Sequence, residues 1–187
     1  MAEDAVDMAI KTFNLKPNGR QTPHCTGGVE SNHHNDIQPN RHCQTQHLRL
    51  IGANGYSSTL FVDLIRRFSL EPDIAKHLSH SYGDRAWEVV ALSKRVDAKS
   101  QRLAPAFPYV DGEVRHAVRN EYARTAADVL ARRTRLAFLD VHAALAALPM
   151  VIGIMGEELN WSKEEKQSER RKAVQFLRSM GLKEEDN

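Results

Sequence analysis

Histidine and cysteine, the side chains best suited to bind zinc, are concentrated in one polar stretch of the sequence. The seven side chains are His24, Cys25, His33, His34, His42, Cys43 and His47. Four of these seven could close a tetrahedral shell. However, the stretch contains no Cys-x-x-Cys pair and no two histidines one helical turn apart on a helix. Its Asn, Gly, Gln and Pro residues are those of a linker, so the spacing favours a solvated loop and we predict no metal site.

A second group with chemical potential is a strip of arginines. The candidate docking residues are Arg115, Arg119, Arg132, Arg133 and Arg135, with Arg124 and His116 in the same span. Guanidinium groups form paired hydrogen bonds with carboxylates and phosphates, so the strip could dock an acidic protein or bind an anionic ligand. The structural alternative is that these arginines hold helices together through Glu113, Glu121, Asp128 and Asp140.

Residue patterns for nucleotide binding or nucleophilic catalysis are not found. Residues 50–55 match neither GxGxxG nor GxxxxGK[ST], and the sequence contains no Gly-x-Ser-x-Gly elbow. Glu157 and Glu158 stand beside a predicted helix end and are predicted to be surface residues. We therefore expect no catalytic residue and no cofactor-binding residue in this chain.

Composition limits the remaining classes of function. The 187 residues include 26 Lys plus Arg and 24 Asp plus Glu, which gives a formal net charge of +2. Such a balance argues against a dedicated nucleic-acid binder. Two cysteines cannot form a disulfide framework, and 41% hydrophobic residues can fill one core. The acidic start Ala2-Glu3-Asp4 is unlike a targeting peptide.

Helical periodicity and capping residues predict the elements. Residues 2–14 have an amphipathic pattern, and helical patterns resume after Tyr56. Pro72 suits a first helical turn, Gly83 a left-handed helix exit, and Asp84 a cap for the helix that follows.

Further signals divide the second half of the chain. The pattern predicts one helix over residues 125–139, which opens with Thr125 and Asp128, and a break at Pro149. Ser162 and Glu165 form a capping box, and Gly181 ends the last helix. Residues 141–156 are apolar but shorter than the roughly 20 residues of a membrane span, so they predict a buried helix.

Together these patterns predict an all-α fold, a compact multi-helix domain preceded by an N-terminal helix and a long polar loop. The predicted boundaries are an N-terminal helix over 1–15, the loop over 16–47, the helical domain over 48–181 and a solvated tail over 182–187.

Several segments resemble the FAD-dependent glycerol-3-phosphate dehydrogenases of the mitochondrial type. The segments are Cys43-Gln44-Thr45, Leu48 to Ala53, His77-Leu78, Ser81 to Ala86, Phe107 to Val114, Asn120 to Leu139 and Met155 to Trp161. They cover about residues 43–180 and resemble the C-terminal helical domain of that family. Residues 1–7 resemble the helix that follows its flavin domain.

The resemblance implies a parent enzyme that uses FAD to oxidise glycerol 3-phosphate to dihydroxyacetone phosphate and passes electrons to quinone at the mitochondrial inner membrane. It also implies that the flavin and substrate contacts lie upstream of residue 1. We therefore expect a structural or docking role, with Arg132 and Arg133 contacting the flavin-bearing portion or another subunit. The alternative is a freestanding helical adaptor that binds an acidic protein through its arginines.

Overall fold

A computed structural model describes residues 2–15, 48–93, 95–96 and 99–183 of the chain. The helices are α1 (Ala2–Phe13), α2 (Leu60–Phe68), α3 (Pro72–Tyr82), α4 (Ala86–Leu92), α5 (Asp111–Asn120), α6 (Leu136–Leu139), α7 (Val141–Glu158) and α8 (Lys163–Ser179). A 3₁₀ turn spans Gly83–Arg85, and a π-helical segment spans Asp128–Arg133. The two-residue strands β1 (Arg95–Val96) and β2 (Lys99–Ser100) pair antiparallel. The predicted all-α class is confirmed.

The chain divides into two compact units, Met1–Leu48 and Arg49–Asn187. In the first unit, α1 forms where the amphipathic pattern predicts a helix, and its apolar residues Val6, Ile10 and Phe13 are exposed. The predicted zinc-type residues, from His24 to His47, lie outside the described residues.

The second unit contains two hydrophobic clusters. The smaller cluster joins α2, α3 and α4 through residues such as Leu64, Ile74 and Leu78, and Trp87 packs against it. The larger cluster is built by α5, the π-helical segment and α6 to α8, and Trp161 packs against it. Helix α5 contacts both α4 and α7 and so lies between the two clusters.

Helix α7 forms the centre of the larger cluster. Among the described residues it is the one helix long and apolar enough to cross a membrane by length and composition, a test that the core helices of folded domains also pass. Eight of its 18 residues are buried, as the sequence predicts. The predicted break at Pro149 is wrong, because the helix continues through it. Burial on α7 outweighs the hydrogen bond that Pro149 removes from the helix.

The predicted helix over 125–139 is also wrong as a single element. Thr125 and Asp128 do exchange hydrogen bonds at its start, as predicted. The chain then forms the π-helical segment and turns at Thr134, whose buried hydroxyl donates to the Val129 carbonyl. Arg135 follows with a φ of 57°, which ends one helix before α6 begins.

Two predicted caps have different outcomes. Ser162 and Glu165 form the capping box of α8, as predicted. Asp84 does not cap α4. Its carboxylate instead accepts a hydrogen bond from the backbone N–H of Gly55 (2.9 Å), while the N–H of Asp84 donates to the carbonyl of Gly52 (2.8 Å). This backbone approach needs Gly52 and Gly83, because a Cβ at either would collide with the other segment.

Candidate docking surface

Arg115 and Arg119 join α5 to α7. The Arg115 guanidinium lies 2.9 Å from Glu158 and 3.2 Å from Glu157, and its side chain is only 7% exposed. Arg119 donates to Glu158 through Nε (2.6 Å) and Nη2 (2.8 Å). The docking prediction therefore does not fit Arg115, and the prediction of Glu158 as a surface residue is wrong. The two carboxylates lie 38 positions or more beyond the arginines, so local spacing cannot reveal the pairing.

The hydrogen bonds from Arg119 and Arg115 lower the pKa of Glu158. Hydrogen bonds from Arg119, and then from Arg115, favour the charged carboxylate, so the pKa of Glu158 lies below its ordinary value of 4.5. The arrangement is a charge-assisted joint between two helices, in which Arg115 and Glu158 are largely buried and Arg119 is half exposed.

The remaining candidate arginines, Arg132, Arg133 and Arg135, are exposed. Arg132 pairs with Asp128 one turn earlier, and Arg133 lies 3.1 Å from Glu121 through its Nε. Arg133 also donates to the backbone carbonyl of Glu121 (2.6 Å), which holds the corner after α5 beside the π-helical segment. Arg135 is exposed. Such exposed pairs contribute little to folding, so these side chains can be drawn into an external contact at low cost.

Large apolar side chains are exposed in the same stretch of chain. We define the docking surface as Tyr122, Arg124, Arg132, Arg133, Arg135, Phe138 and Leu139, all exposed. Tyr122 is 84%, Phe138 63% and Leu139 61% exposed. Local pattern reasoning found the arginines but missed the apolar members, because it placed Phe138 and Leu139 inside one continuous helix.

A buried polar cluster around Glu113 was not predicted as a unit. Nε2 of His77 and the hydroxyl of Tyr82 donate to Oε1 of Glu113 at 2.7 and 3.1 Å, and the N–H of Val110 donates to Oε2 at 2.8 Å. Burial, and then the Glu113 charge, raise the pKa of Tyr82. Because the carboxylate accepts hydrogen bonds from two side chains of α3, it ties α3 to α5. The predicted pairing of Glu113 with an arginine is wrong.

Among the described residues, Asp140 likewise pairs with no arginine. Its carboxylate accepts from the N–H groups of His142 (2.9 Å) and Ala143 (3.0 Å), which caps α7.

One pocket among the described residues is too small to hold FAD. A pocket of about 120 Å³ lies between α7 and α8, lined by Leu145, Leu148, Pro149, Arg170 and Val174. Pockets for drug-sized ligands enclose about 300–1,000 Å³, and a dinucleotide needs at least as much. Within the same described ranges, no three His, Cys, Asp or Glu side chains are placed to hold a metal ion.

Comparison with known proteins identifies the chain's relatives. The chain is 40% identical over 181 residues to the mitochondrial glycerol-3-phosphate dehydrogenase of Mesocricetus auratus. It is 41% identical over 182 residues to a probable mitochondrial enzyme of the same name from Caenorhabditis elegans. Each match covers 95% of this chain and 22% of the relative, so the chain spans about a fifth of their length. No solved structure matches the chain.

The family match covers most of the helical domain. A family described as the C-terminal domain of alpha-glycerophosphate oxidase matches residues 43–166, which include α2 to α7 and the docking surface. The resemblance that the motifs indicate is confirmed. The chain belongs to this family of C-terminal helical domains.

Proposed function

We propose that this chain is the non-catalytic helical domain of an FAD-dependent glycerol-3-phosphate dehydrogenase and that it docks against the enzyme's flavin-bearing portion. The observation that carries the proposal is the similarity over 95% of this chain to 22% of whole dehydrogenases. The exposed arginines and apolar residues of the docking surface support the docking role.

The names of these relatives and the resemblance to their family support a proposal for the activity of the complete enzyme. We propose that the complete enzyme oxidises glycerol 3-phosphate to dihydroxyacetone phosphate, with FAD as the electron acceptor and quinone downstream. The mitochondrial names of the relatives support a mitochondrial location for this chain. From the family resemblance we propose that this location is the inner membrane. Within this enzyme the residues of this chain bind and orient a neighbouring domain.

A chimera tests the proposal. In the full-length Mesocricetus auratus relative, the matching stretch is replaced by this chain, and bound FAD and glycerol-3-phosphate-dependent dye reduction are measured. We expect the chimera to retain FAD and to turn over, and the isolated chain to do neither. A chimera without FAD or turnover, or an isolated chain with both, would contradict the proposal.

A charge variant tests the arginines within the same chimera. Arg132→Ala with Arg133→Ala should lower the temperature at which FAD is released, because the docking contact loses two cations. The matched control is Arg170→Ala with Arg171→Ala, which removes two adjacent exposed arginines from α8, outside the docking surface. Equal effects of the two pairs would favour the alternative, in which the arginines serve a freestanding adaptor with a different acidic partner.

A further inference from the structure

We infer that the apolar residues Tyr122, Phe138 and Leu139 are the centre of the docking surface and carry most of its binding energy toward the flavin-bearing portion. This inference rests on the proposed function and names the residues that perform it. The arginines around them then act as the rim of the contact, where charge guides and orients the partner.

The exposure of these three side chains is the first observation. Each exposes more than half of its surface, although apolar side chains of this size are abundant in the core of the same domain. Arg133 donates to the backbone carbonyl of Glu121, the residue before Tyr122. Arg135 precedes Phe138 and Leu139 within one turn of chain. Exposed apolar groups beside charged ones mark interaction sites. Aromatic residues and arginine are also the types most enriched at the energetic centres of protein interfaces.

Backbone strain at the same surface is the second, independent observation. Tyr122 has a φ of 58° and Arg135 a φ of 57°, a left-handed conformation that costs free energy for any residue with a Cβ. Glycine would adopt either conformation without this cost. Both side chains are exposed, so core packing does not compensate for it. The left-handed conformation itself ends α5 and precedes α6, and glycine would serve at both places at lower cost, which points to a use for the exposed side chains of Tyr122 and Arg135.

Charge and chain length identify the occupant. Residues 121–139 contain four arginines and two acids, Glu121 and Asp128, and both acids are already paired with Arg133 and Arg132. Within the described part of the chain, Arg124 and Arg135 form no ion pair. The docking surface is therefore complementary to a partner surface that has an apolar patch bordered by carboxylates. More than three quarters of each relative's length lies outside the match to this chain. We assign the complementary patch to that part of the enzyme, which includes its flavin-bearing portion.

A nicked chimera measures the contact directly. A protease site is introduced at the junction ahead of this chain, the chimeric holoenzyme is cleaved, and the dissociation constant of the two pieces is measured by dilution. Tyr122→Gly and the double variant Phe138→Ser with Leu139→Ser should each weaken the complex about tenfold or more, as hot-spot substitutions do. The matched control is Leu50→Ser with Ile51→Ser, an adjacent apolar pair at least as exposed and outside the docking surface.

Thermal unfolding of the isolated variants separates docking from folding. Tyr122→Gly relieves backbone strain, so its melting temperature should stay the same or rise while its complex weakens. Affinities within about twofold of the native complex, or an equal loss in the Leu50 and Ile51 control, would overturn the inference and leave the proposed function intact. Failure of the native chimera to hold FAD would overturn both.

Discussion

Glu113 shows how one buried acid can organise two helices. Its side chain is 4% exposed and accepts hydrogen bonds from a histidine, a tyrosine and a backbone amide. A buried carboxylate is stable only with such partners. If the carboxylate is removed, these donors are left without a hydrogen-bond acceptor. The cluster therefore acts as a structural joint in the folded domain.

Replacement of Glu113 tests whether the stability of the domain depends on its carboxylate. Glu113→Ala leaves the Tyr82 hydroxyl and the Val110 amide without an acceptor, so we expect a loss of about 2–4 kcal/mol in the free energy of unfolding measured in urea. Glu113→Gln keeps the shape and one acceptor oxygen and should lose less. Equal stability of Glu113→Ala and the native chain would contradict the structural role.

The joint at Glu158 should give the domain a pH-dependent stability. The pKa of Glu158 is lowered in the folded state by Arg119 and Arg115, so the unfolded chain binds its proton at a higher pH than the folded chain does. The stabilisation is complete above the ordinary value of 4.5 and is lost as the pH falls through the lower folded pKa.

Glu158→Gln removes this titration. The variant should be less stable than the native chain at pH 7, and the difference should narrow as the pH is lowered from about 6 to 3, measured by urea unfolding at each pH. Glu88→Gln is the control, because Glu88 is half exposed and its contacts, an ion pair with Arg85 and a 3.9 Å approach to His116, contribute little. A difference in the free energy of unfolding between the native chain and Glu158→Gln that stays constant with pH would show that Glu158 does not act through its charge.

At the scale of elements, the approach of α4 to α5 depends on one glycine. A Cβ at Gly112 would lie 2.7 Å from the Ser93 hydroxyl and closer still to the carbonyl oxygen of Val89. The same contact brings the Ser93 hydroxyl within 2.7 Å of the buried Asp111 carboxylate, to which it donates. Backbone atoms cannot move aside as a flexible side chain can, so the helices would have to separate.

Two glycine substitutions test this packing against each other. Gly112→Ala should destabilise the domain by about 1–3 kcal/mol, because it overpacks the α4–α5 contact. Gly153→Ala in α7 meets no atom within 4 Å and should stabilise the domain by about 0.5–1 kcal/mol. Thermal unfolding of both variants gives the sign of each change in stability. A Gly112→Ala variant as stable as the native chain would exclude tight packing between α4 and α5.

Local signals predict elements well where local energies decide them. Pro72 in the first turn of α3 and the capping box of α8 act within one turn of helix, so their residues are visible in sequence. The continuation of α7 through Pro149 is decided by burial against other helices, which no local pattern contains. The candidate arginines divide in the same way. They are visible in the sequence as a strip, whereas the pairing of Arg115 with Glu158, 43 positions away, is not.

For the whole helical unit, the two hydrophobic clusters meet at α5. Val110, the N-cap residue of α5, belongs to the smaller cluster, and Val114 and Ala117 belong to the larger one. The Glu113 cluster joins α5 to α3, and the Arg115 joint connects it to α7. Because one rigid helix contributes to both cores, loss of either core removes support from the other.

The two tryptophans make this coupling measurable. Trp87 packs on the smaller cluster and Trp161 on the larger one, so Trp87→Phe leaves fluorescence that reports only the larger cluster. In that background, Leu64→Ala opens a cavity in the smaller cluster and should cost about 2–5 kcal/mol. If α5 couples the clusters, the urea midpoint of Trp161 fluorescence falls with this substitution and coincides with that of far-ultraviolet circular dichroism. A Trp161 midpoint that Leu64→Ala leaves unchanged, with an earlier partial loss of helix signal, would mean that the clusters unfold separately.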